Sequence, residues 1–195
     1  MNGAPRTRQN RKTPTKRKAA LPETRRGRSV FEGLIASSSA GTLSRMKALV
    51  QRVTRASVTV DSETIGSIAR GLCAFVGVAQ DDSESDAALL ADRVVDLRIF
   101  EDDAGKMNLS LADTRGALLV VSQFTLMADT RRGRRPSFVD AARPERAEAL
   151  IALLADRVRE RGLEVATGRF RAHMNVEIHN DGPVTLLLDT RERRS

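Results

Sequence analysis

This chain must do its chemistry with hydroxyls, amides and backbone N–H groups, because it is poor in the usual catalytic side chains. Its 195 residues include two histidines, His173 and His179, and one cysteine, Cys73. Any serine–histidine–carboxylate relay would have to use one of those two imidazoles, and neither stands in a nucleophile-elbow sequence. His179 falls in an alternating, strand-like stretch, where a packed or exposed strand residue is the simpler reading. Cys73 lies in an apolar run with no histidine or cation beside it, which reads as a small core residue. A single thiol rules out an intrachain disulfide framework and a multi-thiolate metal site. Two histidines and scattered carboxylates make a poor ligand set, so neither a metal nor a cofactor is expected.

Three segments are unusual enough to carry function. In Ser122-Gln123-Phe124-Thr125, polar groups interrupt an apolar strand at its C-terminal end, where sheets often present their sites. Strand alternation would put Ser122 and Phe124 on one face and Gln123 and Thr125 on the other. A strand simply emerging into solvent explains the pattern as well. Asn180-Asp181-Gly182-Pro183 separates two apolar strands, and on local physics it reads as an ordinary hairpin turn. Asp129-Thr130-Arg131-Arg132-Gly133-Arg134-Arg135 places four arginines within five residues of a loop. That loop would suit local phosphate contacts, or it is a solvated basic loop paired with nearby acids.

The elements that must position these segments are those of an α+β domain. Ala48–Val53 reads as a strand, and Ala56–Val60 with Ile65–Ala69 reads as a hairpin around residues 61–63. Gly71–Val78 reads as a buried strand. Asp81–Asp86 supply caps and acids for a helix start, after which Leu90, Val94 and Leu97 recur at helical spacing. Asp102-Asp103-Ala104-Gly105 is a turn. Gly116–Leu126 is the most strand-like stretch, its apolar first half suited to a central strand buried on both faces. A second helix starts at Pro144, with Ala147, Leu150, Ile151, Leu154 and Val158 on one face, and stops at Gly162. Strands follow at Asn175–His179 and Val184–Leu188. There are no internal repeats and no glycine-rich nucleotide loop.

Charge divides the chain in two. Residues 1–45 hold 11 Lys/Arg against Glu23 and Glu32, a balance of +9. Residues 46–195 hold the other 22 bases against 23 acids, a balance of −1. The leader has no periodicity and three of the six prolines, which reads as disorder. It could be an RNA-contacting arm, an arginine-rich transit peptide, or an upstream extension, the folded pattern starting abruptly at Met46. With no apolar run near the roughly 20 residues of a bilayer span and no secretory h-region, a cytoplasmic protein is expected. Aromatic residues make up 3% of the chain, too few for a single-strand stacking platform.

Met46-Lys47-Ala48-Leu49-Val50-Gln51-Arg52-Val53, Lys106-Met107-Asn108-Leu109, Ser122-Gln123-Phe124-Thr125-Leu126 and Asn180-Asp181-Gly182-Pro183-Val184-Thr185 resemble the D-aminoacyl-tRNA deacylase family. The likeness runs collinearly from Met46 to about Leu188. It implies a compact, barrel-like mixed β-sheet with two packed helices, assembled as a homodimer. It also implies hydrolysis of the ester joining a D-amino acid, or glycine mischarged on tRNA-Ala, to the terminal adenosine of tRNA. Gly182-Pro183 would be the family's Gly-cisPro motif, reaching into the partner's pocket and rejecting L side chains, with Arg52 bracing it. Ser122, Gln123, Phe124 and Thr125 would line the pocket opposite. The tRNA's own 2′-hydroxyl would assist attack; a nucleophilic Thr125 ranks second, since a hydroxyl without a base is weak. Arg131, Arg132, Arg134 and Arg135 would contact tRNA. Arg171 and His173 stand where relatives commonly carry small or apolar residues. The partner expected is aminoacyl-tRNA, with no DNA and no membrane. The rival class is a non-enzymatic RNA-binding protein using the basic leader and the arginine loop.

Overall fold

A computed structural model of the chain describes residues 46–131 and 133–191. The leader 1–45 and Arg132 lie outside the described residues. The spine is β1 (Lys47–Val60), one continuous strand where the sequence suggested two. Its first half pairs antiparallel with β3 (Gly71–Gly77) and its second half with β2 (Glu63–Ile68). The β1–β2 turn has Asp61 at φ 49° and Ser62 at φ 67°. Positive φ at both central residues matches the right-handed twist of a two-residue hairpin.

The next segment crosses over one face of the sheet. Helix α1 (Glu84–Asp96) starts with the Ser83 N–H donating to the Asp86 carboxylate at 2.9 Å. A small ribbon of β4 (Phe100–Glu101) and β5 (Met107–Leu109) follows. Its turn is organised by Asp102, whose carboxylate accepts from the N–H of Ala104 and of Lys106 and from the Asn108 amide. The N–H of Lys106 first, then the Asn108 amide, hold that carboxyl below its usual range. A four-residue helix α2 (Leu111–Thr114), not anticipated from sequence, leads into β6 (Ala117–Ser122). β6 runs parallel to β3, then α3 (Pro144–Glu160) crosses back to β7 (Val165–Thr167), parallel to β6. α3 ends with Gly162 at φ 77°, the left-handed position expected of a helix-terminating glycine.

β8 (Asn175–Asp189) corrects the hairpin reading of Asn180–Pro183. It is a single strand running antiparallel along the free edge of β1, pairing Asn175 with Thr59 at one end and Asp189 with Lys47 at the other. Residues 181–184 bulge from that ladder opposite Arg52 alone. The resulting mixed sheet has the order β2-β1-β3-β6-β7, with β8 on the other edge of β1. It curls nearly closed: a Cβ placed on Gly66 of β2 would sit 2.7 Å from the Thr167 carbonyl of β7.

Two apolar layers follow from strand alternation. Leu118 and Val120 of β6 join Leu72 and Ala74 of β3 beneath α1 and α3. Leu119 and Val121 point the other way, into the curl, with Val53, Val58 and Ile68. β6 is therefore buried on both faces, as its apolar run implied, and fully burying each such side chain is worth roughly 1.5–3 kcal/mol. Cys73 belongs to the inner layer and is fully buried; burial pushes its thiol pKa up to about 12. We expect the native thiol to react with a disulfide reagent at neutral pH far more slowly than the same thiol in urea. Equal rates would contradict the packing. Among the described residues, no helix is long and apolar enough to cross a membrane.

Candidate active site

The polar end of β6 does not continue as a strand. β6 closes at Ser122, and the Gln123 N–H donates to the Val76 carbonyl at 2.7 Å. Phe124–Met127 then form one turn of 3₁₀-helix, with Leu126 N–H on the Gln123 carbonyl and Ala128 N–H on that of Thr125. The alternation expected for Ser122–Thr125 is therefore overturned. A period of two is lost once the backbone coils, so Phe124 and Thr125 are carried out to solvent. In a 3₁₀ turn the first N–H groups have no acceptor within the turn; here those belong to Phe124 and Thr125. The Gln123 amide donates to the Thr125 hydroxyl, and Lys47 Nζ donates to the Leu126 carbonyl at 3.3 Å, fixing the turn to β1.

Ser122, Gln123 and Phe124 line one cavity of about 620 Å³. Most of its other lining is apolar and comes from distant segments: Val76 of β3 and Val78 just beyond it, Ala141 and Ala142 before α3, and Phe170 and Met174 before β8, a stretch that also brings Arg171 and His173. The segment before α3 is fixed by the Ala142 N–H on the Val78 carbonyl at 2.9 Å. Phe138 meets Phe124 edge-on, ring centroids 5.0 Å apart at 66°. Phe138, Phe170 and Met174 were not singled out from sequence. The scarcity of phenylalanine was the available signal, since three of the six line this cavity.

Gly182 and Pro183 are exposed, and neither lines that cavity, nor does Arg52. These three are brought together elsewhere, at the β8 bulge. The Gly182–Pro183 peptide is cis, and Gly182 has φ 125°. Arg52 is 5% exposed. Its Nε donates to the Asp181 carbonyl at 3.3 Å and lies 3.2 Å from the Asp181 carboxylate, while Nη1 donates to the Ile99 carbonyl at 2.7 Å.

The arginine loop is partly closed on itself. Arg131 forms a two-pronged pair with Asp129, both contacts at 2.9 Å, while its side chain stays exposed. Arg134 and Arg135 are exposed. His179 lies 2.8 Å from Glu177, and that hydrogen bond, with Arg55 second, keeps the Glu177 carboxyl below its ordinary range. Among the described residues no histidine imidazole is hydrogen-bonded to a hydroxyl, the Thr54 hydroxyl reaching only the His179 backbone carbonyl, so no serine or threonine here has an imidazole base.

The curled mixed sheet with its crossover helices is a fold shared with solved structures. A solved structure described as "a probable eukaryotic D-amino acid tRNA deacylase" shares it at TM-score 0.67 and 16% identity, over 74% of this chain and 99% of that one. A second, "c-Myc DNA Unwinding Element Binding Protein", has TM-score 0.69 and 40% identity over 73% and 97%. The model of the family described as D-Tyr-tRNA(Tyr) deacylase matches residues 49–189. A D-aminoacyl-tRNA deacylase of Thermotoga petrophila is 58% identical over 145 residues, covering 74% of this chain and 97% of that protein. One from Anaeromyxobacter dehalogenans is 59% identical over 146 residues, covering 75% and 98%. The chain belongs to the D-Tyr-tRNA(Tyr) deacylase family. It is therefore an enzyme, a hydrolase of the aminoacyl-tRNA ester, and the non-enzymatic reading gives way.

Proposed function

We propose that this hydrolase acts on D-aminoacyl-tRNA, and on glycyl-tRNA mischarged on tRNA-Ala, by refusing L side chains rather than by recognising D ones. The observation that carries this reading is the polar strand end: Ser122 and Gln123 open into a largely apolar cavity beside a turn whose leading N–H groups have no acceptor within the turn. The terminal adenosine would occupy the cavity, with the ester carbonyl at the N–H groups of Phe124 and Thr125, where charge develops as water adds. Gly182 and Pro183 of a second copy would close the site opposite. That pairing as a homodimer is supported by the exposed Leu186 and Leu187 on β8 beside the bulge. Rigid backbone at that point leaves no space for an L side chain, and a steric refusal of this kind discriminates without any added attraction.

With no imidazole hydrogen-bonded to a hydroxyl among the described residues, the substrate supplies the proton path. Water adds to the ester carbonyl carbon and gives a proton to the ribose 2′-hydroxyl. That hydroxyl passes its own proton to the departing 3′-oxygen as the ester C–O bond breaks. Free amino acid and tRNA with a 3′-hydroxyl are released. Thr125 would then position the turn through Gln123, and Arg134 and Arg135 would meet the acceptor-strand phosphates.

The test is hydrolysis of D-Tyr-tRNA with L-Tyr-tRNA spared; equal hydrolysis of both, or of neither, would sink the reading. Thr125→Ala is expected to keep activity within about 10-fold, whereas loss of a true nucleophile removes several orders of magnitude. A substrate ending in 2′-deoxyadenosine should be inert, and normal turnover of it would refute the RNA-assisted path.

A further inference from the structure

The cavity has a charged mouth. Apart from Ser122 and Gln123, its lining is apolar except at Arg171 and His173, and among the described residues no carboxylate lines it. Arg171 is exposed and has no hydrogen bond or ion pair among the described residues. Its backbone is also unusual. Ala172 N–H donates to the Arg169 carbonyl at 3.2 Å, closing a four-residue turn in which Arg171 is the third residue, at φ 62°. Positive φ at that position is ordinarily supplied by glycine, because a Cβ crowds the following carbonyl. A long cationic side chain therefore sits at a strained backbone position, unpaired, at the rim of an electropositive cavity. Strain of this kind collects where a side chain is held for use.

We propose that Arg171 is a substrate-positioning residue whose guanidinium takes a phosphodiester of the acceptor strand at the cavity mouth. This rests on the deacylase reading above. A base in the apolar cavity leaves the phosphate that precedes it at the rim, and a planar guanidinium suits two of its oxygens. His173 lies on the same rim.

The test compares wild type, Arg171→Gly and Arg171→Lys. Glycine suits the turn, so Arg171→Gly should melt at or above the wild-type temperature. Its kcat/KM for D-Tyr-tRNA should fall about 10-fold at low salt through KM, and the log–log salt slope should become shallower by about 0.7, one single-strand phosphate contact. Arg171→Lys should keep most of that slope. On 3′-O-(D-tyrosyl)adenosine, which has no phosphodiester, wild type and Arg171→Gly should be equal. An unchanged salt slope, or equal losses on both substrates, would overturn the proposal. So would a loss confined to D-Asp-tRNA, since that would mark a contact to the amino-acid carboxylate. If wild type itself leaves D-Tyr-tRNA intact, the deacylase reading fails first and takes this one with it.

Discussion

Arg52→Met is expected to destabilise the domain by about 2–3 kcal/mol and to weaken discrimination between D- and L-aminoacyl-tRNA. Arg52 is the single β1 residue opposite the four-residue bulge of β8, and it ties that bulge to the start of the β4 ribbon. The three groups it serves do not lose equally. Asp181 and Glu101, 38% and 54% exposed at the side chain, can turn back to water. The Ile99 carbonyl, on a residue 5% exposed, cannot, so it carries most of the penalty. That places the loss at the low end of what breaking a buried ion pair costs. In a domain of this size it corresponds to a fall in melting temperature of roughly 4–12 °C. The bulge would lose its anchor at the same time, and a refusing surface works only while it cannot yield. A thermal melt, paired with D-Tyr-tRNA and L-Tyr-tRNA hydrolysis, checks both halves. An unshifted melt with intact discrimination would mean that the ladder alone holds the bulge.

The most damaging single methyl group is expected at Gly71, where Gly71→Ala should cost more than about 4 kcal/mol and leave little folded protein. Gly71 pairs with Ala117 where β3 meets β6 in parallel. A Cβ there would lie 1.9 Å from the Ala117 carbonyl oxygen and 2.7 Å from its nitrogen. Those are backbone atoms of a strand held on its other side by β7, so no flexible side chain can move aside. Relief requires separating the two central strands, which opens both apolar layers at once. Gly162→Ala is the control: its φ of 77° makes the substitution strained, but nothing lies within 4 Å, so a loss of about 1–2 kcal/mol is expected. Urea midpoints measure both, and near-wild-type stability for Gly71→Ala would refute the close approach.

Local pattern made much of the fold legible. The apolar run Ala117–Val121 specified a central strand because both of its faces needed cover. The Ser83 start and the Gly162 stop bounded α1 and α3, since caps act within one turn of the chain. The four short motifs pointed to the family, and the match over residues 49–189 agrees. Periodicity misled where the backbone left it. Ser122–Thr125 looked like an alternating strand end, and the coil into a 3₁₀ turn depends on what receives the Gln123 N–H, a carbonyl on β3. Asn180–Pro183 carried every sign of a hairpin turn. That it is instead a bulge in one strand is decided by the 14-residue length of β1, which offers a ladder on both sides of the interruption.

The site divides along the same line. The sequence by itself determined which groups could do chemistry: few histidines, one inert thiol, a polar strand end, and a net charge that belongs mostly to the leader. Residue types and short spacings carry that information directly. Only the tertiary structure decided that Ser122, Gln123, Phe138, Phe170 and Arg171 share one cavity, because those residues come from three separate segments that meet only when the sheet curls. It also decided that Arg131 pairs with Asp129 while Arg171 has no partner among the described residues. Pairing depends on which charges the fold brings within reach, and one-dimensional order does not contain that distance.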